Sequence, residues 1–209
     1  MSLFVTFEGI EGSGKSTQCR RLAAHLRATG HAVIETREPG GSAAGASIRQ
    51  VLLGSDAVPL TPLAELFLYC ADRQQHVHEV IRPALAAGRV VLCDRFSDST
   101  LAYQGFGRGL DLDVVRALDA HARGGLAPGL TFLLDCPPRE GLARTRARQA
   151  AADRFEREDE VFHARVHAGF RTLAAAEPAR FCVLDASAAE DQVAARVAAE
   201  ALSRLGARA

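Results

Sequence analysis

Five short apolar runs recur along the chain, Leu3 to Phe7, His31 to Thr36, Arg89 to Cys93, Leu130 to Asp135 and Phe181 to Leu184. Each has strand length and ends in Gly, Pro or polar residues, which predicts five strands. The stretches between them carry helical spacing. Ser16 to Thr29 sets Cys19, Leu22, Ala23 and Leu26 on one face and stops at Gly30, a natural C-terminal cap. Thr61-Pro62 opens a helix that runs to about Ala87, with Thr61 as cap and Pro62 in the first turn. Asp113 to Arg123, Pro138 to Arg148, Asp159 to Ala176 and Glu190 to Leu205 complete the helices. Strand and helix in strict alternation predict an α/β class, a doubly wound, five-stranded parallel sheet with helices on both faces. Ligands of such a sheet bind beyond the carboxyl ends of the strands, so the residues after each apolar run are the ones to inspect.

Composition narrows the field further. A chain of 209 residues fits one domain spanning 1–209, and 48% apolar with 24% charged residues is ordinary globular usage. The 25 basic and 25 acidic residues cancel. With no bulk positive field, neither nucleic acid nor an anionic membrane is an expected partner, and any bound anion needs a local site. No apolar window reaches the roughly 18 residues of a membrane span, and Leu3 to Phe7 runs into Glu8, too short for a secretory core. The expected location is the cytoplasm. Cys19, Cys70, Cys93, Cys136 and Cys182 are odd in number and scattered, so they read as reduced core thiols.

After the first strand comes Gly9-Ile10-Glu11-Gly12-Ser13-Gly14-Lys15-Ser16, then Thr17. This matches G-x-x-x-x-G-K-[ST] at a strand-to-helix junction, where backbone N–H groups surround a β-phosphate, Lys15 reaches the β- and γ-phosphates and Ser16 ligates Mg²⁺. Kinase, GTPase switch and motor all use such a loop. The chain contains no asparagine, so it lacks the N-K-x-D guanine reader, and it is short for a motor; a small-molecule kinase fits best. The third strand ends in Asp94-Arg95-Phe96. Asp94 suits the Mg²⁺ shell, and Arg95 offers a planar fork to a second phosphate. In the long helix, Tyr69, Arg73 and His76 share a face suited to a flat heterocycle, beside an apolar stripe of Leu63, Phe67, Cys70 and Val77 that reads as packing.

Thr36-Arg37-Glu38-Pro39-Gly40-Gly41 follows the second strand, and Ser99-Thr100-x-x-Tyr103-Gln104 follows the third. Taken in order, the F-E-G-x-E-G-S-G-K-S-T loop, T-R-E-P-G-G, A-D-R within a long helix, D-R-F with S-T-L-A-Y-Q-G, and P-x-L-T-x-L-L-D resemble the bacterial thymidylate kinase family from residue 3 to about residue 185. The resemblance implies the P-loop kinase fold and transfer of the ATP γ-phosphoryl group to dTMP, giving dTDP and ADP, with Mg²⁺. It also implies a homodimer. Position by position, it places Tyr69 where the family stacks a phenylalanine on thymine, and Arg73, Thr100 and Gln104 around the base. Arg95 matches the arginine that grips the acceptor phosphate, and Tyr103 the residue that crowds the sugar 2′ position. Glu11 resembles an acid near the acceptor sugar or its metal, and Glu38 and Arg49 resemble acceptor-side residues.

The family also has a mobile lid over ATP, here at about 148–157. Some members carry an arginine inside the P-loop, but Ile10, Glu11, Gly12 and Ser13 are not basic, so the charge is expected from lid arginines, first Arg148 and Arg154. The acceptor phosphate is already anionic and needs no strong base; positioning and charge neutralisation by Lys15 and these arginines are the expected catalysis. The rival readings are a kinase for another nucleotide or nucleoside, and a non-catalytic ATP-binding regulator. The deoxynucleoside kinases carry E-R-S where Asp94-Arg95-Phe96 stands, which argues against a nucleoside acceptor.

Overall fold

A computed structural model of the protein describes residues 2–54, 59–147 and 155–206. Five strands, β1 (Leu3–Glu8), β2 (Val33–Arg37), β3 (Val90–Asp94), β4 (Leu130–Asp135) and β5 (Phe181–Asp185), form one parallel sheet in the order β2-β3-β1-β4-β5. Central β1 pairs Val5 with Leu92 of β3 and with Leu130 of β4. Every β1 residue is buried, as expected of a strand covered on both faces. Alternation sends Leu3, Val5 and Phe7 to a cluster with Cys19, Leu22 and Leu26 of α1 (Lys15–Ala28), and Phe4 to another with Val77, Ile81 and Phe96. The sheet thus carries helices on both faces.

The five expected strands and, apart from the one expected over Thr61 to Ala87, the expected helices form, with their described ends shifted by one or two residues. Pro138 opens α7 (Pro138–Ala147), Asp159 caps α8 (Glu160–Ala176) by accepting from Phe162 N–H at 2.7 Å, and α9 is Glu190–Gly206. Three features differ from the pattern-based expectation. The helix expected to run from Thr61 to Ala87 is α3 (Pro62–His76), a wide π-helical turn at Val77–Ile81, and α4 (Arg82–Ala86). Pro83 has no N–H to give to an ordinary α turn, which favours the wider one.

Two helical elements carry no legible pattern in the sequence. One is α2 (Ala43–Leu53), whose large apolar residues, Ile48 and Val51 to Leu53, span less than two turns, too few to set a helical period; only Gly45 and Leu52 are buried. Ser42 caps it by accepting from Gly45 N–H. The other is α5 (Ser97–Thr100), continued by π-helical turns over Leu101–Gly107. Gly105 and Gly107 weaken any local propensity, but long-range packing demands them: a Cβ on Gly105 would lie 2.5 Å from the Leu112 side chain, and one on Gly107 2.7 Å from Phe162. Asp98 is also tied to Arg180 by two hydrogen bonds of 2.7 and 2.8 Å.

The apolar stripe on α3 is corrected too. Val77 is buried, but Leu63 is 43% and Phe67 51% exposed, because α3 turns its inner side, with Leu66 and Arg73, to α2 and to α6 (Leu112–Arg123). Of the cysteines, none of which is disulfide-bonded, Cys19, Cys93 and Cys136 are buried, whereas Cys70 and Cys182 are half-buried.

Candidate active site

The carboxyl ends of β1 and β3 meet at the site. Beyond β1 the P-loop turns through left-handed glycines, Gly9, Gly12 and Gly14, into the start of α1. One contact fixes its height. A Cβ on Gly12 would fall 2.0 Å from the carbonyl oxygen of Gly141 on α7, and one on Gly141 would fall 2.4 Å from that of Glu11. Only two glycines allow that approach. Lys15, the single lysine of the chain, folds over the loop and donates to Ile10 O at 2.6 Å. Burial, reinforced by the Arg95 charge, pushes its ammonium down to about 8.

A cavity of about 650 Å³ opens above this loop. Glu11 to Thr17 line it, with Asp94, Arg95 and the start of α9. Gly9 and Ile10 lie beneath: Gly9 O accepts from Arg95 at 3.0 Å, and the Ile10 side chain is buried. Ser16 donates a hydrogen bond to Asp94 Oδ2, which sets a hydroxyl and a carboxylate side by side at the cavity wall. Two hard oxygen donors from protein suit Mg²⁺, which keeps waters and takes its other ligands from phosphates. The same wall holds two residues to which the sequence reading gave no role of their own, Arg37 of the T-R-E-P-G-G turn and Arg144. Arg144 Nη1 donates to Ala186 O at 3.0 Å just past β5.

A second cavity of about 100 Å³ adjoins the first, and Glu11, Glu38, Arg49 and Arg95 line both. Its remaining wall includes Tyr69 and Arg73 from α3 and Thr100, Tyr103 and Gln104 from the helix after β3. All nine positions expected on the acceptor side thus surround one space. Arg95 is its hinge. It is the one described non-glycine residue with positive φ, at 71°, a conformation that costs about 1–3 kcal/mol unless its surroundings hold it. They do: Nη2 reaches Glu11 Oε1 at 3.0 Å and the Tyr103 hydroxyl at 3.2 Å, and Nη1 reaches Ser99 at 3.0 Å. The Tyr103 hydroxyl donates to the same Glu11 oxygen at 2.5 Å. Burial alone would raise the Glu11 carboxyl, but Arg95 and Lys15 beside it hold it below the usual carboxylate range.

Beneath these groups Glu8 is fully buried, accepting from Phe96 N–H at 2.8 Å and from Ser99 at 2.6 Å. Desolvation, then the nearby Asp98 charge, lifts its carboxyl to about 8. Arg73, expected to face a base, is itself 1% exposed and tied to Glu38 at 2.9 Å and Asp119 at 2.7 Å. His76, expected on the same face, instead bonds Glu38 at 2.9 Å and Thr36 at 2.6 Å below the cavity. This pins the T-R-E-P-G-G turn, whose Gly40 N–H also donates to Asp72 at 2.9 Å.

Other site residues could not be read from spacing. Phe155 lines the second cavity, 6.5 Å between ring centres from Tyr69 and 5.1 Å from Tyr103, while its neighbour Glu156 lines the first. His163 of α8 is buried with neither ring nitrogen hydrogen-bonded among the described residues, its Nδ1 3.8 Å from Glu11 Oε2, which takes no hydrogen bond either. Phe155 and Glu156 lie within the stretch expected as a lid but carried no role of their own, and His163 sits beside no motif, so tertiary packing is what brings them to the site. Arg148 and Arg154, expected in the lid, lie outside the described residues.

Comparison with known proteins adds an independent line. The family model described as thymidylate kinase matches residues 7–197. A thymidylate kinase of Solidesulfovibrio magneticus is 57% identical over 201 residues, 93% of this chain and 96% of the relative. Those of Deinococcus radiodurans and Geobacter sulfurreducens are 55% and 52% identical, covering 93% and 98% of this chain and 94% and 99% of theirs. A crystal structure of thymidylate kinase from Ehrlichia chaffeensis superposes with a TM-score of 0.76 at 34% identity, covering 98% of both chains.

Proposed function

The chain belongs to the thymidylate kinase family, so its reaction is transfer of the ATP γ-phosphoryl group to dTMP, giving dTDP and ADP, and we propose that the two adjoining cavities divide that work. ATP takes the large cavity, with its β- and γ-phosphates on the loop from Gly12 to Thr17 and the first turn of α1. Ser16 and Asp94 hold Mg²⁺, which supplies charge neutralisation on the phosphates when bound. The small cavity takes dTMP. Tyr69 stacks on the base; Arg73, Thr100 and Gln104 surround its polar edge; Tyr103 crowds the sugar; Arg95 grips the 5′-phosphate.

The observation that carries this division is Arg95. Its guanidinium stands in both cavities, held by Glu11, Ser99 and Tyr103, so an acceptor phosphate on it faces the P-loop directly. Lys15, beside Glu11, neutralises charge on the transferring group, and no general base is needed because the attacking oxygen is already anionic. Arg148 and Arg154 remain the proposed lid cations. Closure over the nucleotides excludes water, which otherwise hydrolyses ATP.

Two further proposals concern the whole protein. Val51 of α2, Leu63 and Phe67 of α3 and Val114 of α6 are large apolar side chains, each more than 40% exposed, on three neighbouring helices. We assign this face to a homodimer contact, since such residues cluster where a partner covers them. No described helix is long and apolar enough to cross a membrane. The place of work we propose is the cytoplasm, where ATP and deoxynucleotides are made.

The test is ADP release with Mg-ATP against dTMP, dUMP, UMP, CMP, AMP and thymidine, with Lys15→Ala as blank. Turnover is expected on dTMP far ahead of the others. Arg95→Ala should lower kcat/KM for dTMP by about 10³-fold or more, the scale of an arginine lost from a transferring phosphate, with ATP binding near normal. Unchanged dTMP kinetics in that variant would sink the role given to Arg95. ATP binding without turnover on any acceptor would favour a regulator.

A further inference from the structure

Two polar residues from the helix after β3 line the small cavity. Thr100 Oγ1 is buried and unpaired. One turn later, Gln104 is 1% exposed, and its amide is half engaged: Nε2 donates to Glu65 Oε1 at 2.8 Å, while Oε1 takes no hydrogen bond. An amide can turn either end toward a ligand, and which end it turns decides which ligand it accepts. Here the choice is made outside the cavity. Glu65 is fully buried, and Arg108 grips it with Nε on Oε1 and Nη2 on Oε2, both at 3.3 Å. Arg108 is fixed in turn by Glu158 at 2.6 Å and by the faces of Phe162 and Phe155, 4.9 and 5.4 Å from its guanidinium carbon. A carboxylate paired with a guanidinium has only acceptors to offer, so the Gln104 end beside it must be the NH₂ group.

We propose that Glu65, clamped by Arg108, is a specificity-determining positioning residue: it locks the Gln104 amide with its carbonyl oxygen toward the acceptor base, selecting pyrimidines with a hydrogen on the ring nitrogen. The proposal deepens the dTMP reading above and rests on it. A thymine or uracil N–H donates to Gln104 Oε1. Cytosine presents a ring-nitrogen lone pair there, and two acceptors face each other with no proton between them. Thymine and uracil share this edge, so the device cannot separate them; the 5-methyl group must be read elsewhere.

Steady-state kinetics with dTMP, dUMP and dCMP on Glu65→Gln test this. A glutamine at 65 can accept or donate, so the Gln104 amide is free to turn. The dTMP-to-dCMP ratio of kcat/KM is expected to fall about tenfold or more, the scale of one misdirected hydrogen bond, with the dTMP-to-dUMP ratio and the ATP KM unchanged. Against a Gln104→Ala background, the same change at 65 should move the dTMP-to-dCMP ratio no further. Arg108→Lys, which keeps the charge but loses the fork, should shift the ratio in the same direction and serves if Glu65→Gln does not fold. Equal losses on all three nucleotides, or a further fall in the Gln104→Ala background, would make Glu65 a structural residue and overturn the proposal. A wild-type protein that ignores dTMP and prefers dCMP would overturn the acceptor reading itself, and is seen before any variant is made.

Discussion

At the scale of single residues, the site is governed by how burial and charge oppose each other. Lys15 needs to be cationic against phosphate, yet burial and Arg95 depress it to about 8 when no nucleotide is there to compensate. Below pH 7 the ammonium is formed with or without ATP, and binding takes up no proton. Above pH 8 the free protein has lost that proton and ATP must restore it, so ATP affinity is expected to fall as pH rises from about 8 toward the ordinary lysine value near 10. Because Lys15 is the only lysine, lysine-selective isotope labelling gives a single side-chain signal to follow by NMR. Its midpoint should lie near 8 in the free protein and move up with Mg-ATP. A free-protein midpoint above 10 would remove the basis for this pH dependence. Arg95 shows the same opposition in backbone terms, a left-handed conformation kept by four hydrogen-bond partners of its side chain.

Between elements, the P-loop is set by what it leans on. Its glycines were plain in the motif, but Gly141, in the middle of a helix, gave no signal beyond a weak helix former at an odd place. The structure supplies the reason: α7 presses its backbone against Glu11 and Gly12. Gly141→Ala has to push the loop by the better part of an ångström. We expect a stability loss of about 1–3 kcal/mol, or roughly 3–10 °C in Tm for a chain of this size, and a higher ATP KM although residue 141 meets no substrate in the proposed arrangement. Gly206→Ala, where a Cβ meets nothing within 4 Å, is the control and should leave both unchanged. Thermal melts with initial-rate kinetics decide it; an unchanged ATP KM in Gly141→Ala would mean that the loop relaxes without consequence for the nucleotide.

For the molecule as a whole, the sheet order places β1 and β3 side by side, so the P-loop and the Asp94-Arg95-Phe96 corner open onto one crevice. That adjacency turns two motifs 80 residues apart into a single pair of cavities. The exposed apolar residues of α2, α3 and α6 predict the oligomeric state. Light scattering is expected to give about twice the 22.3 kDa chain mass, and Phe67→Glu, which puts a charge at a half-exposed position of that face, should return it to the mass of one chain with the fold intact. A wild-type monomer would sink the dimer proposal.

The sequence by itself determined the class of sheet and its five strands, because period-2 and period-3.6 patterns are local and survive in one dimension, and it named a phosphate loop and nine acceptor-side positions that the fold brings around two adjoining cavities. It did not determine α2, whose large apolar residues are too few to set a helical period, or the Ser97–Gly107 helix, whose glycines weaken its propensity and which stands because Asp98–Arg180, Gly105–Leu112 and Gly107–Phe162 contacts support it. Nor could it tell that Leu63 and Phe67 face outward, since an apolar stripe looks the same whether a core or a partner covers it. The placements of Glu65, Arg108, Phe155 and His163 were likewise decided in three dimensions. Each lies against a neighbour from a different element, and proximity of that kind has no signature until the chain has folded.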